Sequence, residues 1–457
     1  MPAKMSIVLL VLIGSASLCW ATDPPSPPSI SRPPLLINSA PKPIEVPPLA
    51  LMSGIEVSGI PYGKTVSQPL QPVIISEPLL TNERDESAAK TGRELPLEPD
   101  ENRRPFATSW TSLEYLLWWP KGQSLPPLIT SNHSADAPVF GGPNTGVLVG
   151  HSQRDGMATS GGRITNGFAV NETGTAAIAA TYFFLGTRTV TQSVSDSGHG
   201  RPRQLARPII NANTGNEDWI PVAIPGRLNG RAEVSTSTRV SGWEVNGLVN
   251  LFTGPGANIN AIAGYRYLMV NEGLRIEQTA FLPGTLAVVA DQFDAHNRFH
   301  GGQFGFSADL ARGPVYVEMV GKVGIGQSIG VVKISGQGAA VTPGNAQPLQ
   351  YFTSGVLGQS TNSGRFVQTS FAVLPEAIVK VGYKFKDHSR VYFGYNFLYL
   401  SEAVHPGDQV DRTIDPSQVP LFARPGGTNG NTEHPVPLLT RSDFWLQGMM
   451  FGLEFRY

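Results

Sequence analysis

The sequence predicts an all-β fold: a transmembrane antiparallel β-barrel preceded by a disordered, proline-rich segment. Charged residues make up 15% of the 457 residues, below the ~25% typical of soluble proteins, and Gly (50) and Pro (39) are abundant. From residue 106 onward, segments alternate with period two, so that one face is apolar and the other carries charged or small residues. Only a sheet closed in lipid suits both faces, because lipid covers the apolar side and closure satisfies the backbone hydrogen bonds.

The clearest alternation lies in a predicted hairpin formed by EAIVKVGYKF and RVYFGYNFLYL, which meet at the turn KDHS. One face is wholly apolar and aromatic, and the other carries Lys380, Lys384 and Arg390 between glycines. A soluble sandwich has the opposite arrangement, with apolar residues inside and polar residues outside. The hairpin therefore predicts lipid outside and a polar lumen inside. Aromatic residues near strand ends, Trp118 and Trp119 among them, predict girdles at the membrane interfaces.

The chain ends on a strand of the same kind, within FWLQGMMFGLEFRY. Every second residue toward its end is apolar: Met449, Phe451, Leu453, Phe455 and Tyr457. A soluble edge strand this apolar would promote aggregation. We therefore expect the terminal strand to pair with the first strand and to face lipid. The same five residues are predicted to form the signal that the barrel-assembly machinery recognises.

The N-terminus predicts export. Lys4, the apolar core MSIVLLVLIGSASL and the small residue Ala21 are typical of a signal peptide spanning residues 1–21. Lipoprotein processing at Cys19 is disfavoured, because the bulky Leu18 precedes this cysteine. An uncleaved membrane anchor is also disfavoured, because the apolar run is shorter than the ~20 residues that a spanning helix needs.

Residues 22–105 form the next predicted region. They contain DPPSPPSISRPP and, later, the charge-dense NERDESAAKTGRELPLEPDENRRP, without hydrophobic periodicity. This composition favours a disordered, proline-rich linker over a packed domain. A segment that engages the cell wall is the alternative. The remaining residues, 106–457, are assigned to the barrel.

Predicted strands follow one another along the barrel region. In order, they are SWTSLEYLLWWP, SGGRITNGFAVN, TAAIAATYFFL, GRAEVSTSTRVSGWEVNGLVNL, INAIAGYRYLMV, LRIEQTAFL, RFHGGQFGFSADL, VYVEMVGKVGIG, the two hairpin strands and the terminal strand. Turns at NEG, ARGP and KDHS join neighbouring strands. These are eleven runs, whereas single-chain barrels have even strand numbers. The sequence therefore predicts about 12 strands, with 10 to 14 allowed. TLAVVADQF and SIGVVKIS are candidates for the twelfth strand. Long connections at 120–159, 194–229, 337–365 and 401–441 are predicted to be outward loops.

Four segments resemble a known family when they are taken in chain order. They are LEYLLWW, FDAHNRFHGGQFG, VGYKFKDHSRVYFGYNFLYLSEAVHPGDQVDR and SDFWLQGMMFGLEFRY. They are similar to the beta-barrel porin-seven family, which is known mainly from planctomycete-type bacteria. The resemblance covers residues from about 106 to 457 and implies an outer-membrane barrel. It implies no catalytic residues, and the proline-rich region lies outside it.

A polar lumen predicts a porin-like channel for the passive diffusion of small hydrophilic solutes. Nine charged residues are candidates for lining this lumen, and their net positive bias predicts a weak preference for anions. They are Glu114, Arg239, Arg266, Arg275, Glu318, Lys322, Lys380, Lys384 and Arg390. In the alternative, these charges pair with one another across a plugged, non-conducting lumen, as in a structural or adhesive barrel of the cell envelope.

Motifs for catalysis and for metal binding are weak. GQSIG resembles a nucleophile elbow around Ser328, but a strand continues where that motif requires a helix. A membrane-embedded serine hydrolase is therefore a minor alternative. His296 and His300, within DQFDAHNRFH, are weak candidates for metal ligands, and a polar strand end is the favoured interpretation. We expect a protein that is not an enzyme and that uses no cofactor and no metal.

The expected partners follow from the predicted location in the bacterial outer membrane. They are the lipid bilayer, the barrel-assembly machinery, small solutes and, through the proline-rich segment, the cell wall. A net charge of −1 argues against nucleic acid, because phosphate-binding surfaces need an excess of Lys and Arg.

Overall fold

The computed structural model of the protein describes residues 105–134, 136–151, 158–196, 203–282, 284–341, 350–386, 388–419 and 433–457. The predicted signal peptide (1–21) and all but the last residue of the predicted linker (22–105) lie outside the described residues. In the part of the chain that the structure describes, no helix combines the length and the hydrophobicity needed to span a bilayer.

The described residues are almost entirely β-structure. The strands are β1 (Ser109–Pro120), β2 (Ile129–Asn132), β3 (Thr145–Val149), β4 (Thr159–Ala169), β5 (Ala176–Leu185), β6 (Arg188–Asp196), β7 (Gln204–Asn211), β8 (Glu217–Ala223), β9 (Asn229–Gly254), β10 (Ala257–Leu282), β11 (Thr285–Arg312), β12 (Val315–Val341), β13 (Gln350–Phe352), β14 (Gly364–Lys386), β15 (Ser389–Val404), β16 (Thr413–Ile414) and β17 (Arg441–Arg456). Two short 3-10 helices, Gly407–Gln409 and Pro416–Gln418, lie between β15 and β17. The prediction of an all-β fold is confirmed.

Ten antiparallel strands form a closed ring. Its order is β1, β4, β5, β9, β10, β11, β12, β14, β15 and β17, and β17 pairs with β1. Trp110 lies opposite Arg456, so the terminal strand pairs with the first strand as predicted. Ten is the lower limit of the predicted range. Two more strands, β6 and β13, bring the sheet to twelve, but they pair only with β9 and β12, away from the end that holds the termini.

The predicted turn NEG, at 271–273, is absent. β10 runs through it, and Glu272 pairs with Thr238 on one side and with Ala295 on the other. Gly273 serves close packing rather than a turn, since a Cβ there would lie 2.8 Å from Ser237 Oγ. The two candidate extra strands, TLAVVADQF and SIGVVKIS, likewise lie within β11 and β12 and are not separate strands. Merging these segments reduces the predicted strand number.

The lower part of the ring, which is the part nearest the termini, has the predicted polarity. Apolar side chains on its outer face are exposed on every strand. On the terminal strand they are Met449, Phe451, Leu453, Phe455 and Tyr457, with 37–69% exposure. The girdle prediction was wrong for Trp118, which is fully buried inside the ring, 5.5 Å from the ring centre of Phe183. Alternation places Trp118 on the inner face, because its neighbour Trp119 continues the lipid-facing row.

The polarity inverts in the upper part of the ring. Along β10, Leu274 and Ile276 point inward and are fully buried. Arg275 and Glu277 point outward and form a half-exposed ion pair with a 2.7 Å contact. With 26–28 residues each, β9 to β12 are much longer than the ~9–11 residues needed to cross a bilayer. Their upper parts therefore form the wall of a water-exposed domain.

A second sheet packs against the inner face of this wall. Its order is β16, β7, β2 and β3, and β8 pairs with β7. Leu205, Ile209 and Val222 of this sheet share one buried apolar core with Leu274 of β10 and Phe293 of β11. We call this sheet, together with the upper parts of β9 to β12, the upper domain. Its apolar core accounts for the inverted polarity, because water and not lipid surrounds it.

Connections at the two ends of the ring differ in length, except for the short link between β10 and β11 at the end away from the termini. At the end that holds both termini, β9–β10, β11–β12 and β14–β15 are joined by two-residue turns, and β4–β5 by a short loop. The connections at 120–159, 194–229, 337–365 and 401–441 all lie at the opposite end, where they carry the second sheet and the two short helices. The predicted grouping of long loops on one side is therefore present.

Candidate functional site

The interior of the lower ring holds a network of paired charges. Arg266 Nη1 lies 2.7 Å from Glu376 Oε2 and 3.6 Å from Glu244 Oε2. Lys322 Nζ contacts the same two carboxylates, at 2.9 Å and 2.6 Å. Asn396 donates a further hydrogen bond of 2.7 Å to Glu376. Two cations and two anions, from strands β9, β10, β12 and β14, thus neutralise one another while nearly excluded from solvent.

A second group of charges lies beside the first. The Glu114 carboxylate lies 3.3 Å from Arg163 Nη1 and 3.4 Å from Lys380 Nζ, and it accepts a 2.6 Å hydrogen bond from the Tyr392 hydroxyl. Lys380 also approaches Glu318, at 3.5 Å, and lies over the Tyr392 ring. These contacts connect β1 with β14 across β15 and β17. The side chains therefore cross-link the ring rather than line an open bore.

Nearer the termini, Arg390 completes the network. Its guanidinium lies 3.3 Å from Asp309 Oδ2, 3.8 Å from Glu454 Oε1 and 4.8 Å from the centre of the Tyr316 ring. The Tyr316 ring lies over Gly382, where a Cβ would come within 2.4 Å of the ring. A glycine is therefore required at this inward-facing position of β14.

An apolar plug lies above the charged network. Buried side chains from eight of the ten ring strands form one connected cluster. Its members are Leu116, Trp118, Phe183, Leu185, Val240, Leu268, Val270, Phe299, Ala372, Leu374, Ile378, Leu398, Leu400, Ala403, Phe444, Leu446 and Met450. Most of them are completely inaccessible to solvent. At Gly324 of β12, a Cβ would lie 3.3 Å from the Phe299 ring, so the missing side chain leaves room for that ring. Among the described residues, the plug closes the lumen.

Below the plug, a cavity of about 190 Å³ lies at the end of the ring that holds the termini. Phe106 and Trp110, whose rings stack 6.0 Å apart, line its mouth. Charged side chains of the network line it together with Ile262, Val320 and other apolar side chains. The cavity therefore ends within the barrel instead of continuing to the upper domain.

Seven of the nine predicted lumen residues lie inside the ring. They are Glu114, Arg266, Glu318, Lys322, Lys380, Lys384 and Arg390. Arg239 and Arg275 lie on the outer face, and their placement in the lumen was wrong. A turn at 271–273 would have started a new strand before Arg275, so the face of Arg275 could not be counted from Arg266. Because β10 is continuous, the inward position of Arg266 fixes Arg275 outside.

Sequence reasoning missed six charges inside the lower ring: Arg163, Glu244, Asp309, Glu376, Glu454 and Arg456. Alternation alone could have found Glu376, which lies four residues before Lys380 and thus on the same face of the strand. The pairing of Glu244 with Arg266 could be predicted only with knowledge of the register between β9 and β10. With these six included, seven cationic residues stand against six anionic ones, so the interior keeps little of the positive bias on which the expected anion preference depended.

The weaker candidates occupy strand positions. Ser328 lies in the middle of β12, fully buried, and its hydroxyl has no hydrogen-bond partner among the described residues. His296 and His300 lie in β11, and His296 Nδ1 contacts Asn271 Oδ1 at 3.0 Å. Within the described ranges, no group of three His, Cys, Asp or Glu side chains is placed to hold a metal ion.

His405 joins the top of the ring to the loop that follows β15. Its Nδ1 lies 2.5 Å from Glu272 Oε2, and its Nε2 lies 3.0 Å from the Asp443 backbone carbonyl. Both ring nitrogens thus face acceptors, which suits the protonated imidazole. Burial alone would lower the pKa of His405, but the Glu272 carboxylate outweighs burial and raises this pKa above 6.5.

We expect this contact to make stability depend on pH. The raised pKa of His405 means that the stabilisation is complete below pH ~6.5 and is lost as pH rises through the folded-state pKa. A charged hydrogen bond of this kind contributes about 1.5–3 kcal/mol. The urea midpoint should therefore fall between neutral and alkaline pH in the wild type, and this fall should be smaller in His405→Gln. His133→Gln, at an exposed position, is the control. An unchanged pH profile in His405→Gln would contradict the assignment.

Comparisons with known proteins follow the fold. No curated protein matches the chain significantly. The outer membrane protease OmpT from Escherichia coli is 9% identical, with a TM-score of 0.37, over 76% of this chain and 96% of that one. A FadL homologue from Pseudomonas aeruginosa is 7% identical, with a TM-score of 0.19, over 76% and 89%. The P. putida toluene transporter TodX is 8% identical, with a TM-score of 0.13, over 77% and 90%. Similarities this distant do not bear on what the chain binds or does.

The family comparison is specific. The sequence profile described as "Putative beta barrel porin-7 (BBP7)" matches residues 110–457. This range begins within β1 and ends at the last residue, so it covers the whole closed ring together with the upper domain. It also agrees with the four segments that carried the resemblance. The chain therefore belongs to the beta barrel porin-7 family.

Proposed function

We propose that the protein is an outer-membrane β-barrel with a closed, non-conducting lumen, and that it holds the upper domain at the cell surface. One observation carries this proposal: side chains from eight ring strands meet in a single apolar plug above a layer of paired charges. An ion crossing this plug would lose its hydration without gaining polar partners, which is costly. The lumen thus acts as a cross-linked core that makes the barrel a rigid support.

The orientation follows from the two ends of the ring. Outer-membrane barrels have short turns on the periplasmic side and longer loops outside. The end with the termini and the two-residue turns is then periplasmic, and the upper domain is extracellular. This orientation also places the proline-rich segment in the periplasm, where it could engage the cell wall.

The second candidate is a porin-like channel for the passive diffusion of small hydrophilic solutes. Two observations favour it: the family description and the cavity, partly lined by charged residues, at the periplasmic end. In this proposal the plug would have to rearrange for solutes to pass. A serine hydrolase that uses Ser328 has less support, because this residue lies in the middle of a strand.

Conductance in planar bilayers separates the first two candidates. Folded protein, verified by a shift in gel mobility between boiled and unboiled samples, is expected to produce no channel events across the accessible voltage range. The physical reason is the plug, because most of its side chains are completely inaccessible to solvent. A double variant, Trp118→Ala with Phe299→Ala, removes two large plug side chains. Its conductance, compared with that of the wild type, tests whether a partly opened plug lets ions pass.

Regular, voltage-independent openings of the wild type would contradict the closed-barrel proposal and support a porin. If the wild type is silent and the double variant conducts, the plug itself is the barrier. The measurement requires folded protein in each case, so the mobility shift is recorded on the same preparation.

The terminal strand supports a proposal about assembly. Met449, Phe451, Leu453, Phe455 and Tyr457 form an exposed apolar row that ends at the periplasmic rim. We propose that this row is what the barrel-assembly machinery recognises before β17 pairs with β1.

A further inference from the structure

The outer face of the ring carries a set of unpaired cations above its apolar band. Moving upward along β9, β11, β12 and β14, the first residue with a full charge after the apolar band is in each case a lysine or an arginine. These residues are Arg239, Arg298, Lys333 and Arg365. All four are exposed. Among the described residues, none of the four forms a salt bridge.

The absence of partners distinguishes these cations from the others on the same face. Higher on the wall, Arg231 contacts Glu233 at 2.5 Å and Arg275 contacts Glu277 at 2.7 Å. Farther round the ring, at the same border of the apolar band, Lys121 contacts Asp443 at 2.8 Å. Pairing is thus the usual arrangement on this surface, and Arg239, Arg298, Lys333 and Arg365 depart from it.

Two of the cations lie directly opposite each other. Lys333 of β12 is in register with Arg365 of β14. Directly opposed residues have Cβ atoms about 4.5–5.5 Å apart, and like charges in that position are destabilising. Asp294 is the cross-strand neighbour of Lys333 on the other side, but among the described residues it forms no salt bridge with either cation. One carboxylate beside two cations leaves a net positive charge, which a further anion would offset.

The position of the pair indicates where that anion comes from. Below Lys333, the outer face of β12 carries the buried Val331 and the partly exposed Ile329, and below Arg365 the outer face of β14 carries the exposed Val367 and Phe371. The cations thus begin where the apolar surface ends, at the level of lipid headgroups. Cations near an anionic headgroup layer are favoured by about 1 kcal/mol each.

We propose that Lys333 and Arg365, flanked by Arg298 and Arg239, bind the phosphate of an outer-leaflet lipid headgroup. The phosphate oxygens would accept hydrogen bonds from both side chains and would offset their mutual repulsion. Arg298 lies one strand away from Lys333 and about four residues, or roughly 13 Å, nearer the apolar band, where it would contact a second phosphate or the glycerol or sugar part.

Native mass spectrometry of the folded protein in neutral detergent tests the proposal. The probe is diphosphoryl lipid A, compared with the same lipid lacking its phosphates and with free inorganic phosphate as a competitor. The wild type should retain the phosphorylated lipid preferentially. Lys333→Gln with Arg365→Gln should weaken its binding by on the order of 30-fold, because each of the two cations contributes about 1 kcal/mol to the attraction between the protein and the headgroup layer.

The matched control is Arg231→Gln with Arg275→Gln. This variant also removes two cations from the same outer face, but from positions that already have carboxylate partners. Its affinity for the phosphorylated lipid should stay within a few-fold of the wild type. The mobility shift on gels confirms that both variants are folded.

Three results would overturn the proposal: equal binding of the two lipids, equal losses in the two variants, or displacement of the lipid by inorganic phosphate at a similar concentration. The last result would identify a general anion site instead of a lipid site. Because binding is measured in detergent, the outcome is independent of whether the barrel conducts.

Discussion

Asp291→Asn is expected to lower the free energy of unfolding of the upper domain by about 3–5 kcal/mol. Asp291 Oδ2 lies 2.6 Å from Arg207 Nη2, and neither side chain is accessible to solvent beyond 1%. Asp291 Oδ1 accepts hydrogen bonds from the backbone N–H groups of Leu357 and Gly358, at 2.9 Å and 2.8 Å. Asparagine keeps the shape and one acceptor, so the change removes mainly the charge and leaves the Arg207 guanidinium buried without a counterion.

Hydrogen exchange or limited proteolysis of β7 and β8 across a urea series measures this loss. The double variant Asp291→Asn with Arg207→Met should recover more than half of it, because no uncompensated charge remains. Arg231→Met, which breaks the exposed pair with Glu233, should cost less than ~1 kcal/mol. A loss below that size in Asp291→Asn, or a double variant no more stable than the single one, would show that this contact does not hold the upper domain in place.

Glu376→Gln is expected to destabilise the barrel itself by about 3–5 kcal/mol. Glu376 accepts from Arg266 at 2.7 Å and lies 2.9 Å from Lys322 Nζ, with only 3% of its side chain exposed. After the substitution, the two buried cations share the single carboxylate of Glu244. The interior then carries an uncompensated positive charge that neither lipid nor the apolar plug can solvate.

The urea midpoint of the barrel in lipid vesicles, followed by gel mobility, measures this effect. Glu376→Gln with Lys322→Met restores the balance between Arg266 and Glu244, and it should regain much of the stability. Glu402→Gln is the control, because Glu402 is 48% exposed at the upper rim and lies 3.7 Å from Arg441. If Glu376→Gln and Glu402→Gln behave alike, the charged layer is solvated and the closed-lumen proposal loses its support.

Local patterns predicted a large part of the fold. The hairpin of β14 and β15 has the predicted turn and the predicted faces, because alternation within one strand requires no knowledge of its neighbours. The terminal strand pairs with β1 as predicted, because closing the ring leaves the edges of the first and last strands to each other. Seven predicted lumen residues lie inside the ring, since each was assigned from the alternation in its own strand.

The errors came from positions where local patterns are ambiguous. Asn271, Glu272 and Gly273 are typical turn residues, yet they continue β10 because the flanking strands are long enough to hold them in register. Arg275 consequently faces outward. Trp118 resembles an interface residue, but it fills the plug, because a large side chain on the inner face of a small barrel has neighbours on all sides.

The sequence by itself determined that this chain forms an all-β membrane barrel with one apolar face per strand, because that property depends only on the order of side chains along each strand. The tertiary structure decided that the ring has ten strands, that the polarity inverts above the membrane, and that an apolar plug and paired charges close the lumen. These features depend on contacts between residues far apart in the sequence, such as Glu114 with Lys380 and Arg207 with Asp291. Alternation assigns a charge to the inner face, but only closure of the ring determines which partner it meets there.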